Sequence, residues 1–176
     1  MADQFTTYCE DVLWKSMEMH CPSYAWWVRR SLTVNGQRVV VDVYGEHRQA
    51  ERTVCVELEV HRGHPQMNAV KLAKADKDTE LLVLHVFSPF YEHGTPRTWR
   101  QECETLLREG LQRNGISYVT LPWKLSHVPS VERACQVLPQ SSNHFPPDNE
   151  IRGAIDELAK ELKAHISDWE AQLASP

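Results

Sequence analysis

At 176 residues, with 41% hydrophobic and 24% charged residues, the chain has the composition of one folded domain with a sizeable core, which excludes disorder as the default. No apolar run approaches the roughly 20 residues that cross a bilayer, and Met1-Ala2-Asp3-Gln4 lacks a basic region leading into a hydrophobic stretch, so neither a membrane span nor export is expected. Net charge is -5, but seven acids against three bases in residues 148–176 supply -4 of it; the nearly neutral remainder excludes a strongly basic nucleic-acid binder and leaves any polyanion to a local patch.

Residues 4–20 read as a first helix, with Phe5, Tyr8, Val12 and Met19 on one face, Cys9 and Ser16 beside them, and Pro22 ending it. Tyr24 to Val34 is aromatic and β-branched, Asn35-Gly36 is a tight-turn dipeptide, and Arg38 to Tyr44 is strongly β-forming, which together predict a hairpin. A polar loop from Gly45 to Arg52 leads into a third strand, Thr53 to Val60; His61 to Pro65 then breaks the chain before a helix over Gln66–Lys77.

Leu81 to Phe87, bounded by Pro89, is a continuous apolar run suited to a strand buried on both faces. Residues 97–113 read as a helix closed by Asn114-Gly115, and Ile116 to Leu121 as a strand before Pro122. The order helix, three strands, helix, strand, helix, strand, helix predicts an α/β chain: a mixed sheet with helices packed on it. A body of residues 1–138 is expected, then a linker at 139–149, then a C-terminal amphipathic helix over 150–174. Its stripe of Ile151, Ile155, Leu158, Leu162, Ile166, Trp169 and Leu173 either packs on the body or pairs with a second copy, and Asp148 or Asn149 is the expected cap.

The five cysteines, Cys9, Cys21, Cys55, Cys103 and Cys135, are scattered singly without zinc-site or disulfide-framework spacing, and the expected setting is a reduced cytoplasm. Nucleophile-elbow, glycine-rich phosphate-loop and dinucleotide motifs are absent from the sequence.

The chemistry concentrates in the second and third strands. Strict alternation over Val39-Val40-Val41-Asp42-Val43-Tyr44 groups the odd-numbered valines and leaves Asp42 on the opposite face with Val40 and Tyr44. In Val54-Cys55-Val56-Glu57-Leu58-Glu59-Val60 the acids share a face with Cys55, so a register that matches the apolar faces brings Asp42 beside Glu57 or Glu59. A solvent-facing side of the hairpin would carry such acids without consequence. Crowded carboxylates otherwise repel, and a divalent cation relieves them; oxygen ligands from two strands suit Mg²⁺.

An Asp on one strand, a Glu-x-Glu on the next, then a helix and a hydrophobic strand resemble the core of the PD-(D/E)xK, or restriction-endonuclease-like, nuclease superfamily over about residues 4–90. The resemblance implies a core of helix, three antiparallel strands, helix and strand, with additional helices beyond it. It further implies a metal-dependent hydrolase, a DNA endonuclease using Mg²⁺ or Mn²⁺, with Asp42 and Glu57 as metal ligands. Glu59, where most members carry lysine, would hold a second ion or orient water, and Lys71, on one stripe with Asn68, would stabilise transition-state charge. No proline precedes Asp42 and no lysine sits in the third-strand motif. The alternative is therefore a catalytically inactive nuclease-fold subunit that binds DNA or protein. Glu10 on the first helix is expected as an exposed acid, a further carboxylate ligand being the lesser reading.

Arg29, Arg30 and Arg38 around the first hairpin, with Trp26 and Trp27, are candidate nucleic-acid contacts, as are His61, His64 and Asn68. Arg97, Arg100, Arg108 and Arg113 are diluted by neighbouring acids and read as a solvated helix face.

Overall fold

The computed structural model describes residues 4–34, 36–60, 72, 80–92, 95–113, 115–136 and 145–175. Helix α1 (Gln4–His20) precedes strands β1 (Tyr24–Val34), β2 (Gln37–His47) and β3 (Arg52–Glu59); then come β4 (Glu80–Phe87), a 3-10 turn at Pro89–Glu92, α2 (Thr95–Arg113), β5 (Ser117–Pro122), α3 (Pro129–Gln136) and α4 (Asp148–Ala174). The five strands form one mixed open sheet in the order β1-β2-β3-β4-β5. Consecutive strands among β1, β2 and β3 are antiparallel, whereas β4 runs parallel to β3 and β5 parallel to β4. The molecule is thus an α/β fold with helices on both faces of the sheet. No described helix is long and apolar enough to cross a membrane.

One face of the sheet presents Val43, Val54, Val56, Leu58, Leu82, Leu84, Val86 and Leu121, which pack with α1, α3 and α4 in the larger core. The other presents Tyr44, Cys55, Leu81, Val83 and Tyr118, which pack with Leu111 of α2 and with Leu72 in a smaller one. Leu72 is itself helical, and it is the one described position of the helix expected over Gln66–Lys77, the remainder of which lies outside the described residues.

The buried side of α1 is turned slightly from the expected one. Cys9, Leu13, Ser16 and Met17 are buried, while Met19 is 69% exposed. The C-terminal stripe is buried as read, from Ile151 through Ile155, Leu158, Leu162 and Ile166 to Trp169, with Ala154 and Ala159 among them. α4 lies against α1, tied by Tyr8 to Asp148, by His20 to Asp156 at 2.6 Å and, just beyond α1, by Tyr24 to Glu170 at 2.8 Å. The expected caps do not act as caps. The helix begins at Asp148 after Pro147 with no side-chain cap, and the Asp148 carboxylate instead takes Tyr8 and Arg152.

Two features differ from the sequence reading for identifiable reasons. β2 continues to His47, although Gly45 looked like the start of a loop. A Cβ there would stand 2.7 Å from the Trp26 ring, and Trp26 cannot retreat, being buried with its indole N–H donating to the Cys21 carbonyl at 3.0 Å. Gly45 therefore marks a close approach inside a strand rather than a turn. α3 was not expected because eight residues opening on Pro129 give too little periodicity to read, although proline suits a first helical position. α2 does end as expected. Gly115 at φ 74° lets its own N–H and that of Ile116 close on the Gln112 and Leu111 carbonyls, both at 3.1 Å.

Gly45→Ala should cost about 1–3 kcal/mol through overpacking against Trp26, lowering the melting temperature by about 3–10 °C. An unchanged melt would mean that the ring has room. Truncation after Asn149 uncovers the larger core, so light scattering should find aggregates rather than a folded monomer.

Candidate functional site

Asp42 stands where β2 loses both neighbours. The β1–β2 register runs from Tyr24↔His47 to Val34↔Gln37 but omits the Arg29–Asp42 position. The β2–β3 register ends at Val43↔Val56, one step short of Asp42 facing Glu57. In place of the ladder, Oδ2 of Asp42 accepts the Leu58 backbone N–H at 2.9 Å. A charged acceptor on a buried amide is worth about 1.5–3 kcal/mol.

The break also reverses the hairpin's faces. Val39 and Val41 join Tyr44 in the smaller core while Val43 lies in the larger one; in β1, Trp26 lies in the larger core and Leu32 and Val34 pack against the smaller. The expected grouping of Val39, Val41 and Val43 on one face therefore fails, because strict alternation does not survive a residue outside strand geometry. That residue is Arg29, at φ 49°, a left-handed conformation costing about 1–2 kcal/mol for a non-glycine. Its guanidinium reaches Asp11 at 2.6 Å, Glu10 at 3.1 Å and the Thr7 carbonyl at 3.3 Å. Burial works against the Arg29 charge, but hydrogen bonds to Asp11 and Glu10 outweigh it and hold the guanidinium above its ordinary pKa. With Arg29 37% exposed, these pairs return about 0.5–1 kcal/mol each, enough to offset the strain.

The acids do not face solvent. Asp42 is 2% exposed, Glu57 0% and Glu59 1%. The ordinary explanation of a polar outer face is thereby removed. Glu10 is likewise buried, which corrects its reading as an exposed helical acid.

Glu57 and Glu59 alternate along β3 on the face they share with Cys55, whose thiol is held well above its ordinary pKa by burial and by the Glu57 charge. Burial also pushes the Tyr44 phenol up to about 12; the hydrogen bond from Thr53 opposes the shift and Glu46 adds to it. Across β4, His85 is the register partner of Glu57, and its Nε2 lies 3.2 Å from Oε1 of Glu59. Its Nδ1 meets the Tyr118 hydroxyl of β5 at 2.7 Å, giving a buried Glu59–His85–Tyr118 line across three strands. An ionised carboxylate only accepts, so Nε2 is the donor toward Glu59. Oε2 of Glu59 is buried with no hydrogen-bond donor among the described residues.

The backbone around Glu59 is fixed as well. Its carbonyl accepts the Ser88 N–H at 3.0 Å, and the Ser88 hydroxyl donates to the Val60 carbonyl at 2.8 Å. Hard oxygen donors and a buried oxygen with spare lone pairs fit a hard divalent cation. No group of three or more His, Cys, Asp or Glu side chains arranged to hold a metal ion occurs among the described residues.

The other predicted residues are distributed as follows. Lys71, Asn68, His61 and His64 lie outside the described residues. Arg29 is engaged by α1. Arg30 lies 4.4 Å from the Trp27 ring centroid and 5.5 Å from that of Tyr44, and Arg38 donates to Ser31 at 2.8 Å, both on the hairpin's outer part. Trp26 is core and Trp27 half-buried, so the aromatic pair splits between the two faces. Arg108 and Arg113 are exposed, as a solvated helix face requires.

Sequence reasoning missed His85 and Tyr118. The available signal was a lone imidazole inside the apolar run Leu81–Phe87: a strand covered on both faces must supply a buried partner for it.

No protein-family model matches the chain, and no curated protein and no solved structure matches it either.

Asp42→Ala should cost about 1–3 kcal/mol in denaturant unfolding, because the Leu58 amide loses its acceptor in the interior. Asp42→Asn retains a side-chain oxygen and should lose far less. Equal losses would mean that the charge, not the acceptor, holds the strands.

Proposed function

We propose that the chain is a metal-dependent nuclease with a restriction-endonuclease-like core, hydrolysing phosphodiester bonds in nucleic acid, DNA being the expected substrate. The observation that carries this reading is the burial of Asp42, Glu57 and Glu59 where β2 and β3 part, with Oε2 of Glu59 meeting no donor among the described residues. Removing a carboxylate from water costs several kcal/mol even after relaxation, so three buried carboxylates on two adjacent strands call for a reason to be there. The strand order supports the same reading: an initial helix and three antiparallel strands, with β4 after them, follow the order that the resemblance implies.

In this reading Asp42 and Glu57 hold Mg²⁺ or Mn²⁺, and Glu59 orients the attacking water or holds a second ion. When bound, such a cation lowers the pKa of its water and neutralises charge on the leaving oxygen. Lys71 retains the proposed part of stabilising transition-state charge. The second reading, a non-catalytic nuclease-fold subunit, draws on Glu59 standing where the resemblance expects lysine and being engaged by His85.

Mg²⁺ or Mn²⁺ should raise the melting temperature, by an amount that grows with the logarithm of concentration once the site saturates. Asp42→Asn and Glu57→Gln should each abolish that shift and metal-dependent cleavage while the apo fold stays folded, Asp42→Asn with a small loss at the Leu58 amide and Glu57→Gln with a slight gain from relieved repulsion. Metal binding without cleavage supports the second reading, and no metal-induced shift in the unaltered chain removes the first.

A further inference from the structure

We infer that His85 is a positioning residue for the metal site: it fixes one oxygen of Glu59 so that the other is presented to the cation. The inference rests on the metal reading above and extends it to two residues outside the motif. Nε2 of His85 lies 3.2 Å from Oε1 of Glu59, both side chains being 1% exposed, and Oε2 of the same carboxylate meets no donor among the described residues. A carboxylate with one oxygen hydrogen-bonded to a fixed donor and the other open has a defined orientation and an unspent lone pair.

The imidazole is itself held from two sides. Tyr118 O–H meets Nδ1 at 2.7 Å, and the Phe87 ring lies with its centroid 4.4 Å from that of His85 at an angle of 36°. Three adjacent strands thus supply a carboxylate, an imidazole and a phenol in one line, on rigid backbone rather than on loops. Outer partners of this kind set the direction of a ligating oxygen and its basicity, and losing them typically costs 10–100-fold in metal affinity. The same geometry accounts for a polar ring in a strand otherwise filled by Leu, Val and Phe. A hydrophobic residue at position 85 would pack as well but would leave Glu59 free to turn.

The test is Mn²⁺ binding to the full chain by isothermal calorimetry, with folding checked by circular dichroism. His85→Leu removes the donor, whereas His85→Gln retains an N–H able to reach Oε1. The leucine variant should bind Mn²⁺ about 10–100-fold more weakly and the glutamine variant within a few-fold of the unaltered chain. Should the leucine variant fold poorly, Tyr118→Phe carries the test: losing only the hydroxyl releases Nδ1, and the dissociation constant should rise severalfold. Unaltered binding in His85→Leu, or in Tyr118→Phe where leucine does not fold, overturns the role of His85 and leaves the metal reading standing. No Mn²⁺ uptake by the unaltered chain overturns both.

Discussion

The bond from the Leu58 amide to the Asp42 carboxylate is the interaction on which the arrangement of this molecule turns. A strand that parts from both neighbours at one residue leaves backbone groups to be satisfied some other way, and in the interior that obligation is strict. Asp42 meets it with a side chain. Because the ladder to β1 breaks at the same position, the outer hairpin is released from the plane of the inner strands, and its apolar side turns to the smaller core. Val39, Val41, Leu32 and Val34 then help cover the face that carries Glu57 and Glu59. The curl at Arg29 and the burial of the acids are two consequences of one local departure from strand geometry.

Magnitudes separate what this departure costs from what the acids cost. The left-handed Arg29 and its bonds to Asp11 and Glu10 roughly cancel, each side being of order 1–2 kcal/mol. The amide bond to Asp42 contributes at the upper end of ordinary hydrogen bonds. Against these stand three carboxylates in a region where each charge loses several kcal/mol of hydration. The protein could have been made more stable with apolar residues at these positions, as the valines and leucines beside them illustrate. The cost of burying them is the physical content of the functional proposal: acids kept in the interior on rigid strands are the pattern expected where they serve a cation.

The secondary structure was legible where one signal dominated. The strands from Tyr24 and Leu81, the helix ended by Gly115 and the long C-terminal stripe were read nearly to their boundaries, because β-branching, apolar runs, a left-handed glycine and helical periodicity act locally. Gly45, α3 and the valine faces were misread because tertiary contacts decide them: a tryptophan across the hairpin, a helix too short to have a period and a reversal caused by Arg29. Of the candidate site, the placing of Asp42 on β2 and of Glu57 and Glu59 on the adjacent β3 was legible from the strand order, but the ladder stops at Val43↔Val56, short of Asp42, and the burial of the acids was not legible. Nothing in Val-Asp-Val or Glu-Leu-Glu states that the opposite side will also be covered. His85 was readable only as an anomaly, and its partner Tyr118 lies 33 residues away in sequence.

The two faces of the sheet carry different work, and the chain order explains the division. The segments nearest the termini, α1 and α4, close together over the larger face, so the apolar stripe of α4 is buried within the chain, the first of its two expected arrangements. Its acidic outer side then accounts for most of the net charge, on the face away from Asp42, Glu57 and Glu59. The smaller face is covered by the outer hairpin, Leu72 and α2, and among the described residues it combines buried acids with a buried imidazole. A substrate carrying negative charge would therefore meet the nearly neutral part of the molecule rather than the acidic helix. Arg30 lies on that side over the Trp27 and Tyr44 rings, whereas Arg38, bonded to Ser31, lies on the opposite face of the outer hairpin from Val39 and Val41. The larger core thus takes α1, α3 and α4 and the smaller one takes α2 and the outer hairpin, and the reversal at Arg29 and Asp42 is what lets a single hairpin belong to both.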